Sequence, residues 1–320
     1  MVIIIPTCGR PALLDRTLSS LCAATRPANL RLVVVVENGT QAGAETVVRR
    51  FSDVCPIEYL FSEKANKSAS LNLAMQRFVQ PEDFIVFFDD DVRLSKNTLV
   101  CYEQEAASQS NGIFFVGATG VDYESVPVDW VKELLPFSAR GWAPSHTKME
   151  LKTADGLGFN WAGYASDLLR VGGFDPHYGP GSGARGQETN MYQRLLAAGV
   201  RSMFLPGPLV YHYVPQDRCS PEWILDRAVE LGRTDGQNQP SSWFRQIAFI
   251  SLSLRRVISM TVRWLWFVMI RRPEKAFYWH YGFNYYSGCL AGFANRKLRE
   301  STINCGGKPK SNREAILTVQ

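Results

Sequence analysis

Phe84-Ile85-Val86-Phe87-Phe88 is followed directly by Asp89-Asp90-Asp91, and this junction decides the fold. Five apolar residues in succession predict a strand that is buried on both faces of a sheet. Adjacent carboxylates repel one another and burial favours their protonated form, so we expect a positive partner at this sheet edge. A hard divalent cation, Mg²⁺ or Mn²⁺, meets that need and commonly binds substrate phosphates as well. The alternative is a turn whose acids face water.

The composition is that of a folded protein with a substantial core. The chain has 320 residues, 46% of them hydrophobic, and a net charge of +5. This length suits either one large α/β domain with an appendage or two smaller domains. The mild positive charge fits an anionic ligand or a membrane surface better than a dedicated nucleic-acid binder, so we expect no nucleic-acid partner.

The cysteines and the first residues bear on cellular location. Seven cysteines are scattered without a Cys-x-x-Cys pair, which predicts neither a zinc site nor a disulfide framework. They indicate reduced thiols. The opening run, Val2-Ile3-Ile4-Ile5-Pro6, lacks the basic lead and the apolar length of an export signal. We therefore expect a cytoplasmic location.

Strand and helix patterns alternate over the first 90 residues. Apolar runs predict strands at 2–5, 32–36, 57–61 and 84–88, and helical spacing predicts helices at 12–22, 44–51 and 70–78. The alternation predicts an α/β fold with a mostly parallel sheet, flanked by helices, that binds ligands at the carboxyl ends of its strands. Later segments predict a strand at 113–118, an irregular excursion at 122–158, a helix at about 188–198, strands at 200–205 and 209–214, and a helix at 222–233.

Several motifs follow one another over residues 1–235. They are Ile5-Pro6-Thr7 with Arg10, Val36-Glu37-Asn38, the Asn66-Lys67 to Asn72 stretch, the acidic triplet Asp89-Asp90-Asp91, Gly172-Gly173-Phe174-Asp175, Gly186-Gln187-Glu188-Thr189-Asn190, and Val210-Tyr211-His212. In this order they resemble the landmarks of GT-A fold glycosyltransferases, and within them of the inverting family 2 enzymes. The resemblance implies a GT-A domain at 1–235 that moves a sugar from a nucleotide-diphosphate donor to a carbohydrate or lipid-linked acceptor. A UDP-sugar is the favoured donor, although the motifs do not separate UDP from GDP or dTDP.

The resemblance also implies residues that bind the donor. Glu37 would accept a hydrogen bond from the nucleotide base, with Thr7 and Arg10 close to the base and the ribose. Lys67 would counter phosphate charge, and Asn72 would offer its amide to the nucleoside. The family more often has Asp at the position of Glu37, and the same stretch is equally typical of a plain turn.

The metal and the catalytic base follow from the same resemblance. Asp91 is the expected direct ligand of Mn²⁺ or Mg²⁺, Asp89 contacts the metal or the ribose, and Asp90 shares either role. His212 is expected as a further metal ligand, since neutral imidazole binds Mn²⁺. Glu188 is the expected base, because inverting transfer needs a group that takes the proton of the acceptor hydroxyl.

The sequence leaves alternative roles open for Glu188 and for the two residues expected at the acceptor. Glu188 could instead cap its helix together with Thr189. The family usually has Glu-Asp and a further acid two positions on, whereas this chain has Gln187-Glu188 and Asn190. Trp161 and Asp175 are expected on the acceptor side, where an aromatic ring can stack on a sugar; the alternatives are a core position and a turn.

The segment 236–304 changes in character toward Trp, Phe and Arg. Arginines interrupt the apolar residues between Trp243 and Ile270, so no run approaches the ~20 apolar residues of a spanning helix. We expect amphipathic helices that either lie on an anionic membrane at its cytoplasmic face, beside a lipid-linked acceptor, or pack against protein. The polar tail at 305–320 is expected to be disordered.

The sequence also leaves two other functions open. A nucleotidyltransferase also places acids and Mg²⁺ at a sheet edge, but its first loop should hold a triphosphate, and Thr7 to Pro11 offers one basic residue, Arg10. A non-catalytic, membrane-associated module that binds nucleotide sugars would explain the neutral residues Gln187 and Asn190.

Overall fold

A computed structural model of the protein describes residues 1–109, 111–182, 186–237 and 242–305, with side chains described as far as residue 296. The chain divides into two units. The first consists of Met1–Val128 and Leu135–Gln216, and the second of Asp129–Leu134 together with the chain from Asp217 onward. The tail that the sequence predicts to be disordered lies outside the described residues from position 306.

One sheet forms the centre of the first unit. Its strands lie in the order β3-β2-β1-β4-β8-β6-β9-β5, with β7 beside β9. They are β1 (Val2–Thr7), β2 (Leu32–Asn38), β3 (Ile57–Ser62), β4 (Phe84–Phe88), β5 (Val92–Leu94), β6 (Ile113–Tyr123), β7 (Met149–Leu151), β8 (Asn160–Tyr164) and β9 (Arg201–Val214).

Helices alternate with the early strands and make up most of the second unit. They are α1 (Pro11–Ala23), α2 (Ala44–Arg49), α3 (Lys67–Phe78), α4 (Thr98–Ala107), α5 (Asp129–Lys132), α6 (Phe137–Arg140), α7 (Ala165–Arg170), α8 (Gln187–Ala197), α9 (Pro221–Gln237), α10 (Trp243–Met269) and α11 (Pro273–Cys305). A 3₁₀ turn spans Gln216–Cys219.

The first four strands are parallel, as the sequence predicts. β1 lies between β2 and β4, and β2 pairs with β3. Alternate residues of β1 enter two cores: Ile3 and Ile5 pack with α1 and α2, while Val2 and Ile4 pack with α3. Burial on both faces explains the unbroken apolar runs. Since the strands are parallel, their carboxyl ends meet at one edge, where Thr7 and Asp89 lie.

The other half of the sheet is more antiparallel than the sequence predicts. β8 is antiparallel to both β4 and β6, and β5 is antiparallel to β9. The expected break in β9 at Pro206-Gly207-Pro208 is wrong: the strand continues, and a register shift between Gly117 and Ala118 of β6 accommodates the extra residues. Bulges of this kind tolerate proline, which has no N–H for the ladder. β5 begins at Val92, so the acidic triplet occupies the short link between two strands.

Glycines bring α9 and α11 together in the second unit. A Cβ atom added at Gly232 would lie 2.0 Å from the carbonyl oxygen of Tyr285, and one at Gly288 would lie 2.3 Å from that of Val229. Gly236 and Gly292 are equally confined. Spacing of two glycines four residues apart on each helix lets the backbones approach closely. In the described part of the chain, no helix combines the length and the apolarity that crossing a bilayer requires.

Replacing Gly232 by Ala should therefore destabilise the protein. At an exposed helix position this exchange would add about 1 kcal/mol of helix propensity, but here the new methyl group meets backbone, and such overpacking costs about 1–3 kcal/mol. We expect a lower midpoint of urea unfolding, followed by circular dichroism. Thr234→Ala, at an exposed position of the same helix, is the control and should leave the midpoint nearly unchanged. A Gly232→Ala protein as stable as the parent would contradict this packing.

Candidate active site

A cavity of about 300 Å³ opens at the carboxyl edge of the parallel strands. Four of the residues predicted to bind the donor contribute to its wall: Thr7, Arg10, Lys67 and Asp89. The remaining wall is formed by Pro6, Cys8, Asn38, Ala65, Pro180 and Gly181. The cavity is thus lined by both signs of charge at the place where α/β sheets bind ligands.

Arg10 binds two members of the acidic triplet. Its guanidinium forms an ion pair with Asp90 and donates to Asp91 Oδ2 at 2.7 Å. Thr7 Oγ1 donates to Asp90 Oδ2 at 2.6 Å. Burial raises the pKa of Asp90 to about 6, although Arg10 opposes this shift. Asp90 is fully buried and absent from the cavity wall, so its expected contact with the donor gives way to a role in holding Arg10 and Thr7.

Lys67 lies between two carboxylates. Its Nζ is 2.6 Å from Asp89 Oδ1 and 3.4 Å from Glu188 Oε1. The side chain of Asn66 caps α3 by accepting from Ala69 N at 2.9 Å, which places Lys67 in the first turn. Burial alone would lower the pKa of Lys67, but Asp89 and Glu188 hold it above its usual value. The site therefore presents a fixed ammonium group at the cavity wall.

Glu188 lies in the first turn of α8, at the edge predicted from the sequence. The residue before this helix is Gly186, and no side chain caps the helix, so the alternative role of Glu188 as a cap finds no support. Gly158 makes room for its side chain, since a Cβ atom there would lie 1.9 Å from Glu188 Cγ. The carboxylate is held beside Lys67, and the side chain of Glu188 remains 22% exposed.

Asp91 and His212 face each other across β5 and β9. His212 Nδ1 lies 2.7 Å from the carbonyl oxygen of Ser138, so in the neutral ring Nδ1 donates and Nε2 carries the lone pair. Nε2 lies 3.6 Å from Asp91 Oδ1, too far for a hydrogen bond. Asp91 Oδ1 is buried and has no hydrogen-bond partner. Burial would raise the pKa of Asp91, but His212 in its protonated form, Arg10 and Lys67 together hold it below its usual value.

This pair of atoms fits a divalent cation. Two ligands about 2.1 Å from one ion lie roughly 3 to 4 Å apart, and the separation of Asp91 Oδ1 and His212 Nε2, 3.6 Å, falls in that range. Among the described residues, no group of three or more His, Cys, Asp or Glu side chains is placed so that it could hold a metal ion. The protein thus offers two ligands, and phosphate oxygens of a substrate would complete the set, as is usual for such ions. Asp89, the third predicted ligand, is turned to Lys67 instead.

Two predicted donor residues are engaged elsewhere. Glu37 is buried, with Oε2 accepting from the hydroxyl of Tyr59 at 2.6 Å and Oε1 accepting from Ala42 N at 2.7 Å. It closes the turn after β2, in line with the alternative that the sequence left open. The amide of Asn72 donates to the carbonyl of Phe174 and accepts from its N–H. Asn72 therefore holds the Gly172 to Asp175 turn, and its expected contact with the nucleoside stays a prediction.

The two residues expected at the acceptor also have structural roles. Trp161 is 1% exposed and stacks on Phe87 with ring centroids 4.5 Å apart, so it cannot stack on a sugar in this conformation and its acceptor role is corrected to a core role. Asp175 accepts from His177 N at 2.9 Å in a surface turn. His177 holds the pKa of Asp175 below its usual value.

Sequence reasoning missed residues that act through shape and backbone. Asn38 Nδ2 donates to the carbonyl of Thr7 at 3.0 Å and forms part of the cavity wall. At Gly181, a Cβ atom would lie 1.7 Å from the carbonyl oxygen of Ala65. The glycine-rich character of the loop before α8 was the available signal for Gly181. The carbonyl of Ser138 that orients His212 leaves no signal in the sequence, because any residue carries one.

Comparison with known proteins identifies the family of this chain. Residues 2–169 match the family described as Glycosyl transferase family 2, a segment that ends before Glu188 and His212. A relative, the succinoglycan biosynthesis protein ExoM of Rhizobium meliloti (strain 1021), is 25% identical in an alignment 240 positions long that covers 72% of each chain.

Solved structures show the same fold. The mannosyltransferase PcManGT from Pyrobaculum calidifontis, in complex with GDP-Man and Mn²⁺, has a TM-score of 0.51 and 18% identity over 95% of this chain and 79% of its own. S. aureus TarS 1-349 in complex with UDP-GlcNAc has a TM-score of 0.52 and 13% identity over 92% of both chains. The predicted GT-A fold is confirmed. Since the family match covers more than half of the chain, the protein is a glycosyltransferase that belongs to glycosyl transferase family 2.

Proposed function

We propose that the protein is a metal-dependent, inverting glycosyltransferase that moves a sugar from a UDP-sugar to a hydroxyl of a polysaccharide or lipid-linked oligosaccharide. One observation carries the proposal: Lys67 is held between Asp89 and Glu188 at the wall of the cavity. A leaving diphosphate needs positive charge, and an attacking hydroxyl needs a base. The arrangement supplies both groups within one cluster.

The donor and the acceptor have separate support. Structures of the same fold bind GDP-Man and UDP-GlcNAc, which supports a nucleotide-diphosphate sugar as the donor here. The name of the relative ExoM, a succinoglycan biosynthesis protein, supports a polysaccharide as the acceptor.

In the proposed mechanism, the acceptor hydroxyl attacks the anomeric carbon of the donor from the face opposite the nucleotide. Glu188 takes the hydroxyl proton as the new C–O bond forms, and the bond between the anomeric carbon and the diphosphate breaks. Lys67 and Arg10 place positive charge near the diphosphate as it leaves. A divalent cation held by Asp91 and His212 supplies further positive charge there when bound. The anomeric configuration inverts because there is a single displacement.

Replacing Glu188 by Gln tests the base. The amide keeps the shape of the side chain but cannot take a proton, so we expect sugar transfer to slow by about 10²–10⁴-fold while the donor binds as before. Transfer is measured by release of nucleoside diphosphate in the presence of acceptor extract. Glu222→Gln is the matched control, since Glu222 also lies in the first turn of a helix, in the second unit. Undiminished transfer by the Glu188→Gln protein would remove Glu188 from the mechanism.

Replacing His212 by Ala tests the cation site. The parent protein should show a Mn²⁺-dependent rise in melting temperature with UDP, because ligands that bind the folded state stabilise it by mass action. The His212→Ala protein should lose most of that dependence and need more Mn²⁺ for transfer. His146→Ala, which alters an exposed histidine, should behave as the parent. If chelation leaves both binding and transfer of the parent unchanged, the proposed metal dependence is wrong.

Alkylation of Cys8 tests the donor cavity and identifies the nucleotide. Cys8 lines the cavity and is the one exposed cysteine among the described side chains. A bound nucleotide should cover it and slow its reaction with a maleimide about tenfold at a concentration of about ten times the dissociation constant. Mass spectrometry of the labelled peptide measures the rate with UDP, GDP and dTDP, and Cys8→Ser is the control for the site of labelling. Equal rates with and without all three nucleotides would place the donor elsewhere.

A further inference from the structure

Helix α10 exposes a stripe of large apolar side chains on one face, while on its other side it packs Phe249 and Trp264 against α11. Its buried positions, seven residues apart, are Gln246, Ser253 and Met260. The outward stripe consists of seven large apolar side chains that are 48% to 70% exposed: Phe244, Ile247, Leu254, Ile258, Val262, Leu265 and Met269. Their spacing of three, four and seven residues places them on one face of the helix. The outer face of a helix in contact with water is normally polar. The stripe therefore indicates an apolar environment on that side.

All the charged residues of the same helix are arginines. α10 contains Arg245, Arg255, Arg256 and Arg263, and its sequence from Trp243 to Met269 has no acidic residue. These arginines are exposed, as are Arg271 and Arg272 directly after the helix. Glu274 is the nearest acid that follows. The partner of this surface should therefore be apolar and negatively charged at once.

Tryptophans lie near both ends of the stripe. Trp243 and Trp266 are 60% and 53% exposed. Indole rings favour the boundary between hydrocarbon and water, where one edge can remain hydrated. Since no described helix can cross a bilayer, a helix with this distribution suits a position parallel to the membrane plane.

A second copy of the chain complements this surface poorly. Two α10 helices facing each other would bring their arginines together without a carboxylate on either helix to pair with them. An anionic lipid surface supplies phosphates for the arginines and acyl chains for the stripe. Charge complementarity therefore selects the membrane.

We propose that α10 lies in the headgroup layer of an anionic membrane, with its outward stripe buried among the acyl chains. The proposal is independent of the chemistry proposed above, since none of these residues belongs to the candidate active site. It assigns the protein to a membrane surface as a peripheral protein. For a cytoplasmic enzyme, that is the cytoplasmic face.

Sedimentation of the full chain with lipid vesicles tests this proposal. We expect the protein to sediment with vesicles of phosphatidylcholine and phosphatidylglycerol, weakly with phosphatidylcholine alone, and less at high salt. The double variant Ile258→Asp with Leu265→Asp should bind the anionic vesicles at least about tenfold more weakly. Both positions are exposed, so the melting temperature and the nucleotide protection of Cys8 should remain those of the parent.

Matched controls separate the stripe from general surface effects. Val54→Asp with Val126→Asp introduces the same two charges at exposed apolar positions of the first unit, and it should bind vesicles as the parent does. Arg255→Gln with Arg256→Gln should reduce the preference for anionic vesicles. The proposal is overturned if the parent stays in solution with every vesicle, or if the double Asp variant binds as well as the parent. It is equally overturned if the parent is a dimer that this variant converts to monomers without any vesicle binding.

Discussion

Three adjacent carboxylates at the end of β4 can share one sheet edge because each of them faces a positively charged side chain. Asp89 pairs with Lys67, Asp90 with Arg10 and Thr7, and Asp91 with Arg10. These partners come from three places in the chain: the end of β1, the start of α1 and the first turn of α3. Like charges held this close would otherwise take up protons or repel. The parallel arrangement of the strands is what delivers the partners to the triplet.

The balance is incomplete at one point. Asp91 Oδ1 stays without a hydrogen-bond partner and His212 Nε2 points its lone pair at it. An unpaired buried polar atom costs on the order of 1–3 kcal/mol, and more when it is charged. The folded protein therefore has a defined position, between Asp91 and His212, where an added cation would be stabilising. The Ser138 carbonyl fixes the tautomer and the direction of the ring, so the site is oriented before any ligand arrives.

The sequence was sufficient for those parts of the site that follow from strand order. Thr7, Asp89, Lys67 and Glu188 meet because each follows a strand or begins a helix at the same edge, and short motifs mark such junctions. The burial of Trp161 could not be predicted, because an aromatic ring has the same sequence signature whether it faces a ligand or the core. Gly158 gave no signal, since its meaning lies in the contact with Glu188, a residue 30 positions away.

The second unit uses its apolar residues in a different way from the first. In the sheet, large side chains such as Ile3 and Phe87 fill the two cores. Between α9 and α11, glycines bring backbones into contact and leave little volume for large side chains. α10 packs Phe249 and Trp264 against α11, and a stripe of further large apolar residues on its other face is exposed. The exposed stripe of α10 therefore takes no part in the packing that joins the helices of this unit. Because these side chains are exposed in the described chain, burial in an apolar environment would stabilise them, which is the reason to seek their partner in lipid.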